Sequence, residues 1–160
     1  MADLTAANNL RILGKAYTQR YILNTLAAQT VYRGTPLWID QDADGAPDGT
    51  VWGFTDAGAN VGATDVFVGI AAENKSVVIA SPETPENAGI EAYVYPTIVG
   101  FPMLTTGWTN DDIGISVYPA DSGLLASTAS GHPLIGTLWR VMDDYAYVLI
   151  DSPTVCAGSA

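Results

Sequence analysis

Positive charge is scarce in this chain. Only 6 of its 160 residues are Lys or Arg, against 17 Asp or Glu, which gives a formal net charge of −11 at pH 7. Proteins that bind DNA or RNA neutralise phosphates with clustered cations, and membrane-surface segments use the same cations on anionic lipid. We therefore expect neither a nucleic acid nor a membrane as a partner.

Cysteine and long apolar runs are also missing. The one cysteine, Cys156, excludes an intramolecular disulfide, and no Cys/His cluster suggests a metal site. No apolar run approaches the ~20 residues that a membrane-spanning helix needs. The first residues lack the charged start and apolar centre of a secretory signal, so we expect a chain that is made and initially held in the cytosol.

Catalytic signatures are few. The single histidine, His132, lies in a Gly-His-Pro turn, and no nucleophile elbow accompanies it. Three nucleophiles are available in principle: Ser127, Ser130 and Cys156. The carboxylate pairs 111/112 and 143/144 stand on turns, where they remain solvated instead of facing each other across a cleft. We expect a protein that is not an enzyme.

Strand-forming sequence, in contrast, is abundant. Apolar residues make up 48% of the chain and charged residues 14%, with 16 Gly and 9 Pro to form turns. Short apolar runs bounded by Gly, Pro and Asp recur at spacings of about 8–15 residues. They cover residues 34–39, 50–54, 66–70, 76–80, 92–99, 113–118, 134–142 and 146–150. This pattern predicts one all-β domain over residues 29–160, an antiparallel β-barrel or sandwich of short strands.

Two local features refine the strand assignment. Pro96 falls inside the run 92–99, which restricts that strand to an edge or a bulge. A Gly-Thr pattern followed by tryptophan recurs at residues 34–38, 49–52 and 136–139. The unequal intervals exclude a solenoid repeat, so we interpret the pattern as one solution to a barrel corner, with each tryptophan in the core or at a subunit interface.

Residues 1–28 differ from the rest of the chain. Leu10, Leu13 and Tyr17 form a partial helical stripe that Gly14 interrupts, which predicts an N-terminal arm or a short helix. Four of the six cations fall within the first 33 residues: Arg11, Lys15, Arg20 and Arg33. A basic arm on an acidic body favours docking on a partner; a helix packed on its own sheet is the alternative.

An acidic segment follows the first predicted strand. Residues 40–48 match D-x-D-x-D-G-x-x-D, the first part of a calcium loop, with candidate ligands Asp40, Asp42, Asp44 and Asp48. Val51 stands where a bidentate Glu is expected, and no helical pattern flanks the segment. An acidic hairpin loop is the alternative. We predict no cofactor and keep calcium as a candidate ligand.

Several stretches together resemble the decoration, or cement, proteins of tailed-bacteriophage heads. They are the N-terminal arm, R-G-T-P-L-W-I-D, D-V-F-V-G-I-A, D-I-G-I-S-V-Y-P-A-D-S-G-L-L-A and P-L-I-G-T-L-W-R-V-M-D-D-Y-A-Y-V-L-I-D. The resemblance covers residues 30–151 as a pattern of turns and strands. It implies a homotrimeric virion protein that binds the major capsid protein on the outer surface of the expanded head and clamps neighbouring capsomers. Such a protein resides in the host cytoplasm during assembly.

The expected contact residues lie in the arm and at two strand ends. We expect the arm to contact the capsid or a neighbouring subunit through Leu4, Leu10, Arg11, Lys15, Tyr17, Arg20 and Tyr21. Trp38 and Trp52 are further candidates for a subunit interface. Two other classes stay open. One is a virion-surface carbohydrate-binding or host-adhesion module, which needs exposed tryptophans and calcium; the other is a small hydrolase that depends on His132.

Overall fold

The structure, a computed structural model, describes residues 9–24, 28–39, 50–54, 66–78, 88–103, 107–120 and 125–151. Within these ranges the regular elements are short strands and one turn of 3-10 helix, Asn110–Asp112, so the predicted all-β fold is confirmed. The strands are β1 Arg11–Leu13, β2 Thr18–Leu23, β3 Gln29–Val31, β4 Pro36–Ile39, β5 Thr50–Gly53, β6 Val66–Ala71, β7 Lys75–Val77, β8 Gly89–Tyr93, β9 Ile98–Pro102, β10 Ser116–Pro119, β11 Leu125–Ala126, β12 Gly136–Met142 and β13 Tyr145–Ile150. No helix in this part of the chain is long and apolar enough to cross a membrane.

Five strands close into a barrel in the order β2-β5-β4-β6-β8. Strands β2 and β5 run parallel, and the other four neighbouring pairs are antiparallel. The barrel encloses a cluster of buried side chains that includes Leu23, Leu37, Val51 and Ile90. The small β3-β7 sheet packs on the same cluster through Val31 and Val77. Closure leaves the barrel without the unpaired edges that open sheets expose.

The barrel is one layer of the structure. The other layer is a six-stranded antiparallel sheet in the order β1-β9-β13-β12-β10-β11. Its central strands come from the C-terminal apolar runs that the sequence indicates most clearly. Strands β12 and β13 form a hairpin, whose turn residues Asp143 and Asp144 have φ values of 53° and 61°. Positive φ at both turn positions matches the twist of a two-residue hairpin, and Asp tolerates that conformation better than most residues do.

Strand β6 joins the two layers. Its residues from Phe67 to Ala71 are all buried. Phe67 and Ile70 belong to the core of the six-stranded sheet, whereas Val68 and Ala71 belong to the barrel core. A strand covered on both faces needs a nearly continuous apolar run, and V-F-V-G-I-A supplies it.

Residues 9–24 correct the expectation of an arm or a short helix. Strand β1 pairs with β9 in the sheet, and β2 pairs with β8 and β5 in the barrel. Gly14, at φ +77°, lies between the two strands. Gly14, which interrupts the helical stripe, thus marks the point where the chain passes from the six-stranded sheet to the barrel. Hydrogen bonds between strands satisfy the backbone N–H and C=O groups that would otherwise bond within a helix.

The run 92–99 is also corrected, because it is not one strand. Strand β8 ends at Tyr93, a turn with a cis Tyr95–Pro96 bond follows, and β9 begins at Ile98. The Gly-Thr pattern has no common geometry either. Gly34 has φ +103° in a turn, Gly136 begins strand β12, and residue 49 lies outside the described residues.

Gly136 provides a test of the β12–β13 pairing. A Cβ at this position would overlap the backbone oxygen of Leu149, which cannot shift without disturbing the ladder. We expect Gly136→Ala to lower the free energy of unfolding by about 1–3 kcal/mol in urea titrations. The exposed neighbour provides the control: Thr137→Ala should stay within about 0.5 kcal/mol of the parent. Equal stability of the two variants would contradict the close approach.

Candidate functional site

Arg11 is anchored at one end of a row of residues that crosses four strands. Successive Cα partners in this row are Arg11, Gly100, Tyr147 and Arg140. The Arg11 guanidinium lies 4.0 Å from the centroid of the Tyr145 ring and 3.8 Å from Oδ2 of Asp143. A hydrogen bond to Tyr147 raises the pKa of Arg11. The cation is thus held in place while about half of its side chain stays exposed (48%).

Gly100 explains how the tyrosines beside Arg11 are packed. A Cβ on Gly100 would lie 2.7 Å from Cε1 of Tyr147, so only glycine lets this ring lie flat over β9. Tyr145 and Tyr147 are 8% and 4% exposed. The two rings are therefore a support for Arg11 and present little surface of their own to a partner.

The other predicted contact residues of residues 9–24 are distributed over both layers. Lys15 Nζ lies 5.0 Å from the centroid of the Tyr17 ring, and Tyr17 is 39% exposed. Arg20 forms an exposed ion pair with its cross-strand partner Glu91, at 3.5 Å. Such pairs contribute about 0–1 kcal/mol. Leu10 is buried in the sheet core. Leu4 lies outside the described residues.

The tryptophans expected at a subunit interface form a stacked pair on the barrel. Trp38 and Trp52 are cross-strand partners with ring centroids 6.4 Å apart. Their neighbours Leu37 and Val51 point into the barrel, so alternation directs both indoles outward. Trp38 is only 2% exposed, however, and Trp52 is half-buried. Both Nε1 atoms are buried and have no hydrogen-bond partner in the described part of the chain.

His132 packs between the two layers. Its ring meets the Phe54 ring edge-on, with centroids 4.9 Å apart. Nδ1 is buried without a hydrogen-bond partner among the residues described. A catalytic imidazole is usually oriented by an acceptor at that nitrogen. The geometry of His132 is that of a side chain that packs one layer against the other.

The candidate calcium ligands Asp40, Asp42, Asp44 and Asp48 lie outside the described residues. Within the ranges that the structure describes, no group of three or more His, Cys, Asp or Glu side chains could hold a metal ion.

Sequence reasoning missed the end of the β12–β13 hairpin, residues 139–144. A register shift leaves Trp139 without a Cα partner between the pairs Leu138–Val148 and Arg140–Tyr147. The Arg140 guanidinium lies 5.2 Å from the centroid of the Trp139 ring. Trp139 is 42% exposed and Met142 is 36% exposed. The expectation of a core position is thus wrong for Trp139, because a β-bulge changes the direction of side chains. The alternative, a position at a subunit interface, stays a prediction.

Comparison of the chain with protein-family models, with curated proteins and with solved structures finds no match.

The unpaired indole of Trp52 leads to a stability prediction. Trp52→Phe keeps an aromatic ring beside Trp38 and removes a buried donor that lacks an acceptor, so the unfolding free energy should change by less than about 1 kcal/mol. Trp52→Ala removes the ring contact and should lower it by about 2–3 kcal/mol, measured by urea titration. A Phe variant as unstable as the Ala variant would show that the indole N–H makes a hydrogen bond.

Tyr21 leads to a prediction at alkaline pH. Burial raises the pKa of its phenol above the ordinary value of 10.0. Above pH 10 the unfolded state therefore releases the Tyr21 proton more readily than the folded state does. The stability that comes from keeping Tyr21 protonated is complete below that pH and is lost as the pH rises through the folded pKa. Between pH 9 and 11, Tyr21→Phe should lose less stability than the parent. The exposed-site variant Tyr17→Phe is the control, and an unchanged slope in Tyr21→Phe would contradict the assignment.

Proposed function

We propose that this chain is a virion structural protein of a tailed bacteriophage. It decorates the outer surface of the expanded head as a homotrimer, binds the major capsid protein and clamps neighbouring capsomers without catalysis. The observation that carries the proposal is the resemblance of residues 30–151 to decoration proteins. The segment with the longest matching stretches, residues 111–151, supplies β10, β11, β12 and β13 of the six-stranded sheet.

The fold is suited to this role because the two layers form one unit. Strand β6 contributes side chains to both cores, and residues 9–24 add one strand to each layer. A stabiliser that spans two capsomers has to resist their separation, which requires a body that does not deform between its contacts. Binding the expanded lattice better than the unexpanded one then shifts the shell towards the expanded state.

The carbohydrate-binding alternative has less support from the geometry. Glycan sites of this kind stack sugars on exposed aromatic rings. Trp38 is buried, Trp52 and Trp108 are half-buried, and Trp108 packs against the sheet core. The adhesion module would therefore have to use Trp139, the one tryptophan that is more than a third exposed.

The proposal is tested by cosedimentation with undecorated, expanded heads of the cognate phage. Saturable binding of the full chain is the expected result. Removing residues 1–28 would delete β1 and β2 and open the barrel, so the truncation should remove only residues 1–8. Weaker binding of that truncation would assign a capsid contact to those residues. No binding of the full chain to cognate heads would overturn the proposal, and binding to glycans in its place would favour the adhesion module.

A matched pair of charge reversals tests the contact assigned to the N-terminal cations. Lys15 is exposed and, among the described residues, pairs with no carboxylate. If it meets an acidic capsid surface, Lys15→Glu should weaken head binding about 2–5-fold at low salt. Lys75→Glu makes the same change in net charge on β7, in the small β3-β7 sheet, and should leave binding unchanged. Equal weakening by both variants would indicate general repulsion and contradict a contact at Lys15.

A further inference from the structure

The hairpin end, residues 139–144, is an exposed element with an unusual side-chain arrangement. Trp139, Arg140, Met142 and both turn aspartates are exposed, and Val141 is half-buried. In a regular strand, adjacent residues point to opposite faces. The bulge leaves Trp139 unpaired next to the Arg140–Tyr147 pair, and the Arg140 guanidinium lies over the Trp139 indole. A large aromatic ring and a cation are thereby presented together.

The backbone beside this patch is already occupied. Leu138 donates to the oxygen of Ile115 and accepts from the N–H of Gly114, at 3.0 and 2.9 Å. The Val141 N–H donates to Oδ1 of Asn110 at 3.0 Å. Asn110 is held in a 3-10 turn that the Thr109–Asp112 capping box fixes. Addition of a strand from another molecule is thus blocked here, and a contact has to be made through side chains.

The side chains are those that protein interfaces favour. Trp, Met and Arg are enriched at interface centres, and Trp and Arg dominate the residues whose truncation costs most binding energy. Trp139 and Met142 expose apolar surface on one hairpin. Two exposed apolar side chains this close to an arginine suit a protein surface as the partner.

Charge identifies the kind of protein. Two copies of a chain with net charge −11 repel each other unless they meet where cations offset some of the carboxylates. The hairpin end carries both signs of charge: Arg11 and Arg140 lie beside Asp143 and Asp144, and the carboxylates 111/112 stand on the adjoining 3-10 turn. Arg11 is engaged with Asp143, so Arg140 and Asp144 are the opposite charges without an ion-pair partner among the described residues. Arg140 of each copy can pair with Asp144 of the next copy around a rotation axis, which is how identical chains close a ring.

We infer that the hairpin end is a contact site for a second copy of this chain, with Trp139 and Met142 at its centre and Arg140 of one copy facing Asp144 of the other. The contact would form in free solution and does not depend on capsid binding.

The test is the association of the purified chain, measured by sedimentation equilibrium over a hundredfold concentration range. We expect the parent to self-associate. Trp139→Ser and Arg140→Asp should each weaken association about 10-fold or more. Asp144→Arg should do the same, and the double variant with Arg140→Asp should recover association to within about 3-fold of the parent, because the exchanged charges face each other again.

Two gentler variants keep the test valid if the exchange disturbs the turn. Arg140→Gln and Asp144→Asn remove one charge each, and Asn tolerates the positive φ of residue 144. Both should weaken association, and the effect should shrink at high salt. Val78→Ser is the control, since Val78 is 74% exposed and remote in sequence from the hairpin.

Three results would overturn the inference. The parent could be monomeric over the whole range, association could be unchanged in Trp139→Ser and Arg140→Gln, or Val78→Ser could weaken association as much as they do. A monomeric parent that loses head binding on Trp139→Ser would assign the hairpin end to the capsid instead.

Discussion

Burial of strand β6 on both faces is the constraint on which the rest of the structure depends. Phe67 and Ile70 pack towards the six-stranded sheet, and Val68 and Ala71 pack into the barrel. Removal of apolar surface from water is the main favourable term in folding, and here one strand contributes it to two cores. The layers are consequently coupled, because displacing either one would expose a face of the same strand.

The N-terminal segment adds a second coupling between the layers. Residues 11–13 extend the sheet and residues 18–23 close the barrel, so this part of the chain is held at both ends by strand pairing. Arg11 and Arg20 have carboxylate partners in the same chain. A partner that binds these cations meets a surface that is already ordered, and binding does not carry the entropic cost of ordering a free arm.

The surface chemistry combines strong net negative charge with a small region in which arginines accompany the carboxylates. Repulsion between carboxylates keeps two copies of the chain apart in most relative orientations. The hairpin end, in contrast, offers aromatic and apolar surface with both signs of charge. Such a distribution restricts where identical chains can meet. The bulge in β12 is the local feature that creates this region, since without it Trp139 and Arg140 would lie on opposite faces.

Local sequence determined the fold class and most central strands. Neighbouring residues alone are enough to favour an extended conformation in the alternating Y-A-Y-V-L-I and in the apolar run of β6. They are also enough to favour a turn at the Asp-Asp pair before Y-A-Y-V-L-I. Tertiary structure alone decided that residues 9–24 are strands, since their partners lie near residues 50, 90 and 100. It also decided that Trp38 is buried and Trp139 exposed, although both follow a Gly-Thr pattern. The physical reason is that pairing partners, register and bulges depend on contacts between residues distant in sequence, and these fix which face of a strand is covered.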